Sequence, residues 1–403
     1  VGKVAKTKER KYYWDMSPNL ESQITELINA IKQSGRVNLA QCIEKNWQKT
    51  ALTHSEELNN WAPQRPLEPE LWSAFEKELD RLDVPRDLQA KILDSLAKRR
   101  VLQTAPHLVA TENPRMLTIN WLGSLAVPDD EFYIVGMFSG IPFSNNFRPG
   151  RINMKHDSSN LFPSTMQDGL VYRSVIPAKM PETISTLSDK IRNLMPKAID
   201  GESYTKWALA TCQNIERKIL GKENLIYLDI NEVISNYLIS VLKNKDHIFY
   251  KIFFDSKTRE EFDSTFPEET LFYMPVMMSK FETTRKVRMS DLLDSETLIK
   301  DLGERRFCPA LITGFLALAF INEFKCFGSF SQVEYLPAYQ EKLKNLSFLK
   351  DFGIAKVPTA NLTTGSFVDA KFPADIIMGE DFKPNPEILF GELLINIKDK
   401  LIK

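Results

Sequence analysis

The chain has 403 residues, 43% of them hydrophobic and 26% charged, and its 52 Lys plus Arg nearly balance 53 Asp plus Glu, for a formal net charge of -1. Such a composition excludes a disordered, collagenous, disulfide-scaffold or membrane-channel protein. The absence of a basic excess argues against a general nucleic-acid binder, although a local basic pocket is compatible with it.

Four cysteines (Cys42, Cys212, Cys308 and Cys326) show no CxxC spacing and read as buried or free thiols of a reducing cytosol, which implies a cytoplasmic protein. The sequence begins Val1-Gly2-Lys3, so it is expected to start inside a longer chain, and it shows no secretory signal there. The most apolar run, Pro309 to Ile321, is shorter than the ~20 residues a bilayer requires and is expected to be a buried helix.

In chain order, a basic cluster at Lys3, Lys6, Lys8, Arg10 and Lys11 reads as a solvated terminus. Ile24, Leu27, Ile28 and Ile31 then repeat at helical spacing. Further helices are predicted over Glu68–Leu82 and from Pro85 to Lys98, the second with Pro85 suited to its first turn. Val101 to Ala105 reads as a buried strand, Pro114 to Leu125 as a helix and Phe132 to Phe138 as a stronger strand. That succession is the βαβ signature of a parallel core. More strands are expected at Leu170–Ile176, Leu225–Leu228, Ile248–Phe254 and Leu271–Met277, with helices at Glu182–Met195, Ser203–Leu220 and Asn231–Leu242. Asp291–Leu302 and Pro309–Glu323 read as helices, Gly328 as a helix cap, and Pro386–Ile402 as a closing helix. The expected fold is α/β, a mostly parallel sheet with helices on both faces and helical N- and C-terminal additions. Its divisions are residues 1–84, 85–288 and 289–403.

Candidate chemistry concentrates after two of these strands. Thr104-Ala-Pro-His107 and Glu112-Asn113-Pro114-Arg115 follow the first. Ser139, Asn145, Asn146, Arg148 and Arg151 follow the second, in a stretch from Phe132 to His156 that contains no Asp or Glu. Ligands of open α/β sheets sit beyond the carboxyl ends of strands. Arginine forks grip carboxylate or phosphate, asparagines add neutral donors, and Arg115 opens a helix whose dipole favours anions. The alternative is a polar loop with its arginines in surface ion pairs. His107, one of four histidines, is a candidate general acid–base, or else a hydrogen-bonded structural histidine. Ser139 lies in Gly136-Met-Phe-Ser139-Gly140, which lacks the nucleophile-elbow spacing.

A second cluster runs from Lys325 to Pro337. Gln332 and Tyr335 there share a helix face and are candidates to close the pocket, or else belong to a helix end and turn. The charge runs at Arg305-Arg306 and from Lys280 to Arg288 read as solvated faces. No phosphate-binding loop, dinucleotide fingerprint, zinc spacing or calcium loop is present, so no metal or particular cofactor is implied.

The helix before Lys98, the strand from Val101 and its end at Thr104 resemble the cysteine-adding enzymes of bacillithiol synthesis, a bacterial family. In these a helix leads to a strand ending in Thr-Gly-Gln-Gln within a nucleotidyl-transferase-like α/β core. Thr104 matches that motif, while Ala105, Pro106 and His107 depart from it. The likeness spans residues 85 to 140 and implies a small-molecule transferase or ligase rather than a hydrolase. The leading expectation is therefore an enzyme binding an anionic metabolite or nucleotide, with no nucleic-acid or membrane partner. A non-catalytic interaction protein with a protein partner is the alternative.

Overall fold

The computed structural model describes residues 18–156, 158–166, 168–278 and 281–402. The basic cluster before Pro18, together with Lys280, lies outside the described residues.

Four parallel strands make the central sheet, in the spatial order Leu225–Asp229, Tyr133–Met137, Val101–Gln103, Lys325–Phe327. The first three add strands in one direction, and the fourth returns to the opposite side of Val101–Gln103. Chain order therefore reverses between the strands ending at Gln103 and Phe327. Period-two alternation divides the side chains. Leu102, Ile134, Ile226 and Leu228 join one core, and Val101, Tyr133, Val135, Met137 and Tyr227 join the other.

The first core is covered by helices Pro69–Arg81, Arg86–Arg99, Ile230–Val241 and Ile248–Phe254 and by the apolar helix after Leu311. Leu71, Phe75 and Leu79 of Pro69–Arg81 are fully buried, a contribution of about 1.5–3 kcal/mol each. The second core is covered chiefly by Tyr204–Leu220, which opens on the Ser203 cap and ends on Gly221 at φ +61. Helices Pro18–Gln33 and Val37–Asn46 pack with Phe390–Ile395 and Lys398–Ile402 in a third core. This is the expected α/β fold with helical additions at both ends. The strand Lys325–Phe327 lies beyond residue 288, so the sheet draws on the chain's last third as well.

Four expectations change. Ile248–Phe254 is a helix capped by His247: Ile248, Phe249, Ile252 and Phe253 are buried at helical spacing, and a short apolar run does not distinguish strand from helix. Leu170–Ile176 contains only a 3₁₀ turn, Val171–Arg173, flanked by isolated bridges. Phe272–Met278 is a strand, but it pairs antiparallel with Phe281–Val287 and with Cys308–Pro309, outside the central sheet. Gly328 caps no helix. It ends a strand, where Gln332 folds back so closely that a Cβ on Gly328 would sit 2.5 Å from the amide carbon. The run from Leu311 remains helical but widens into a π-helical stretch at Leu316–Ile321.

Candidate functional site

The chain-order reversal is where a ligand crevice would form in an open α/β sheet. Here it is filled by the protein itself. Thr104 Oγ1 donates to Phe327 O (2.8 Å) and accepts from the Gln332 amide (2.9 Å). Gln103 Nε2 reaches Tyr133 OH (3.1 Å) and Thr363 Oγ1 (3.2 Å), and Thr363 and Asn361 close the remaining space. Thr104 and Gln332 do come together, but as a buried, hydrogen-bonded pair.

The ends of Tyr133–Met137 and Leu225–Asp229 are sealed in the same manner. Ser139 Oγ donates to Asp229 Oδ1 (2.8 Å), and Asn231 Oδ1 accepts from the backbone N–H groups of Ser139 (2.8 Å) and Gly140 (3.0 Å). Asp229 N donates to Glu78 Oε1 (2.9 Å), and Glu78 grips Arg81 through both oxygens. Glu232 pairs with Arg305 (2.5 Å). Burial, with Glu78 adding repulsion, pushes Asp229 up to about 7; burial, with Asp229 beside it, pushes Glu232 up to about 8. Ser139 is thus committed to a structural network, its side-chain bonds going to Asp229 and Asn231 and not to His107, which bridges to the adjacent Phe138. Arg305, expected on a solvated face, is a counter-ion of that network.

The loop from Phe143 to Arg151 remains open. Asn145 Oδ1 accepts from Phe147 N (3.0 Å) and Asn145 O from Arg148 N (2.8 Å), a tight turn that puts Arg148 at φ +56. Asn153 anchors this turn by donating from Nδ2 to Thr111 O (2.9 Å) and Phe147 O (3.3 Å). One wall of the loop lines a cavity of about 220 Å³ with Ser144, Asn145, Asn146, Arg148, Arg151 and Asn160. Its other wall, Asn146 and Phe147, lines a second cavity of about 630 Å³ with Asn113, Arg115, Phe367, Phe372 and Lys400. Asn146 is common to both.

Four cations therefore face two adjoining cavities, and no Asp or Glu is among the described residues lining either. None of Arg115, Arg148, Arg151 and Lys400 forms an ion pair among the described residues. Burial lowers the pKa of Arg115, partly offset by Glu112, and burial also lowers that of Lys400, with Arg115 adding to it. In both, burial acts first, because it disfavours the charged form. Asn113 spends its side chain on the helix start, accepting from Arg115 N (3.0 Å) and Met116 N (3.1 Å). The Arg115 guanidinium lies 5.4 Å from the centre of the Phe330 ring.

His107 lies beside this loop, its ring 4.8 Å from that of Phe147, but lines neither cavity. Its Nδ1 is buried with no hydrogen-bond partner, and burial lowers its pKa to about 4, so the ring is neutral at pH 7. The expected tautomer-fixing partner at that nitrogen is missing. Tyr335 is not brought to the loop. It packs against Phe315 and Tyr339 in the first core, whereas Phe147 packs on the second.

Sequence reasoning missed Phe367, Phe372 and Lys400, which reach the cavity from more than two hundred residues away. It also missed a buried acid pair beneath it. Glu216 Oε2 accepts from Tyr227 OH (2.5 Å) and Asn120 Nδ2 (3.0 Å), while both oxygens of Glu112 lack partners. Burial raises Glu216 to about 7 and, with Glu216 nearby, holds Glu112 well above the usual carboxylate range. Among the described residues, no group of three or more His, Cys, Asp or Glu is placed to hold a metal ion, and no helix is long and apolar enough to cross a membrane. No protein-family model, curated protein or solved structure matches this chain.

Proposed function

We propose that the protein binds an anionic metabolite, a nucleotide or similar phosphorylated compound, across the two cavities joined at Asn146. One observation carries this reading: Arg148 and Arg151 line the smaller cavity and Arg115 and Lys400 the larger, with no Asp or Glu among the described lining residues of either. Unpaired arginine forks around a cavity suit phosphate oxygens. Phe147, Phe367 and Phe372 give the larger cavity an aromatic lining that suits a flat ring, and the smaller one has room for little more than an anionic group. As an enzyme the protein would be a transferase or ligase. These cavities would hold its substrate, with His107 behind Phe147 as the acid–base candidate. The neutral state of His107 at pH 7 favours proton acceptance over donation.

The test is a thermal-shift and calorimetric comparison of ATP, pyrophosphate and sugar phosphates with the unmodified protein and with Arg115→Gln and Arg148→Gln. A ligand at ~100 times its Kd stabilises by ~2.7 kcal/mol, a shift such a screen resolves. The expected result is a rise in Tm with at least one phosphorylated compound, lost in both variants while their own melting stays unchanged. Binding that survives both substitutions would overturn the assignment.

A further inference from the structure

A different cavity lies along the outer edge of Leu225–Asp229, where the sheet has no fifth strand. It holds about 590 Å³, within the range of small-molecule sites. The turn Leu82–Leu88 forms one wall, helix Tyr204–Leu220 the other, and Ile226 with Tyr227 the floor. The residues Leu225, Tyr227 and Asp229 turn their backbone groups outward to this edge. Arg217 Nε donates to Leu225 O (2.8 Å), Tyr227 N donates to Gln213 Oε1 (2.9 Å), and Asp229 N is held by Glu78. Side chains thus occupy the hydrogen-bonding positions a pairing strand would need, which argues against an added peptide strand and for a compact ligand.

The chemistry of the walls is two-sided. Leu82, Val84, Leu88 and Ala210 give an apolar wall. At the polar end Arg217 bonds to Leu225 through Nε and Gln213 to Tyr227 through its oxygen, both residues line the cavity, and Glu223 lies near Arg217 without lining it. Lys197 stands nearby. The two lining acids are Asp83, already paired with Lys206 (2.5 Å), and the exposed Glu202. We infer that this edge cavity is a second binding site, for a small flat apolar molecule bearing one anionic group, with the apolar part against Leu88 and Ala210 and the anion at Arg217. It is separate from the Asn146 cavities, with which it shares no lining residue.

The experiment titrates the full chain with anilinonaphthalene sulfonate, a flat anion, and with uncharged N-phenylnaphthylamine, following fluorescence. Ala210→Phe, which fills the cavity, should weaken both probes by about tenfold or more, and Arg217→Gln should weaken the sulfonate by about tenfold while leaving the uncharged probe within about twofold. Lys245→Gln, an exposed position that lines none of the three cavities, should change neither. Leu88→Trp fills the cavity from the opposite wall and replaces Ala210→Phe if that variant melts early. Unsaturable binding to the folded protein, or saturable binding unchanged by filling, would overturn the site. Equal weakening of both probes by Arg217→Gln would overturn the assigned anion.

Discussion

Two regions at the carboxyl ends of the same sheet treat their charges in opposite ways. Beyond Asp229, acids and bases are buried and meet one another: Glu78 with Arg81 and the Asp229 N–H, Glu232 with Arg305, and the Asp229 carboxylate with the Ser139 hydroxyl and the Asn231 N–H. Beyond Phe138, the loop carrying Arg148 and Arg151 leaves its cations facing a cavity. Position at a strand end does not by itself identify a ligand site. The distinguishing feature is whether charged groups meet partners within the chain, because a buried charge without one costs free energy while an open cation retains water until a ligand displaces it; at the sealed end Asp229 Oδ2 is left without a hydrogen bond.

The largest effect that would break this contrast is expected at the sealed end. Arg81→Ala removes the fork held by both oxygens of Glu78, which is fully buried. A buried charge losing its partner costs ~3–5 kcal/mol, to be read from the urea midpoint. The double variant Glu78→Gln/Arg81→Met removes both charges and should recover most of that loss. If Arg81→Ala were as stable as the unmodified chain, the sealed network would not be structural, and Ser139 would return as a site candidate.

A smaller effect concerns the acid pair under the open region. Folded Glu216 keeps its proton to about pH 7, against an ordinary value of 4.5. Below pH 4.5 the full contribution is present. Between 4.5 and 7 the folded state holds the extra proton, so stability falls as pH rises, by roughly 3 kcal/mol at most for this group. The raised values of Asp229 and Glu232 act in the same direction. His54 and His107, lowered by burial to about 4, act in the opposite direction up to about pH 6.5, so the Glu216 contribution is read by comparing variants: Glu216→Gln should gain stability at pH 8 relative to pH 5. Its amide oxygen can still accept from Tyr227 and Asn120. A difference between pH 5 and pH 8 unchanged by the substitution would mean that Glu216 is ionised in its buried position.

Much of the fold was legible because its signals are local. The apolar spacing of Ile24, Leu27, Ile28 and Ile31, Pro114 after its Asn113 cap, and the continuous runs at Tyr133 and Leu225 all specify elements without long-range help. The strand Lys325–Phe327 was not legible: three residues carry no period, and only pairing with Val101–Gln103 makes them a strand. The site divides similarly. Arg148 and Arg151 stood out because an acid-free stretch is visible in one dimension. The loss of Ser139 to Asp229, and of Tyr335 to the Phe315 core, depends on partners roughly ninety and twenty residues away. Lys400 carries no local sign that it will face Arg115.

The smallest effect is the sharpest comparison, since it separates stability from binding at one residue. Arg148 adopts φ +56, a left-handed conformation that glycine enters freely and other residues enter at a cost. Its side chain is exposed and lines the smaller cavity, and no ion pair among the described residues holds it. Arg148→Gly should relieve the turn and raise stability by ~0.5–1 kcal/mol, less the entropy that glycine adds to the unfolded chain. The same substitution removes a cation from the cavity, so phosphate-ligand affinity should fall while Tm holds or rises. Arg81→Ala, by contrast, should lower Tm steeply. If Arg148→Gly lowers Tm, the guanidinium is bracing the loop as its counterpart braces the sealed end, and the contrast between the two strand ends collapses. If Tm rises and affinity is unchanged, the smaller cavity drops out of the site, leaving Arg115 and Lys400 as its cations.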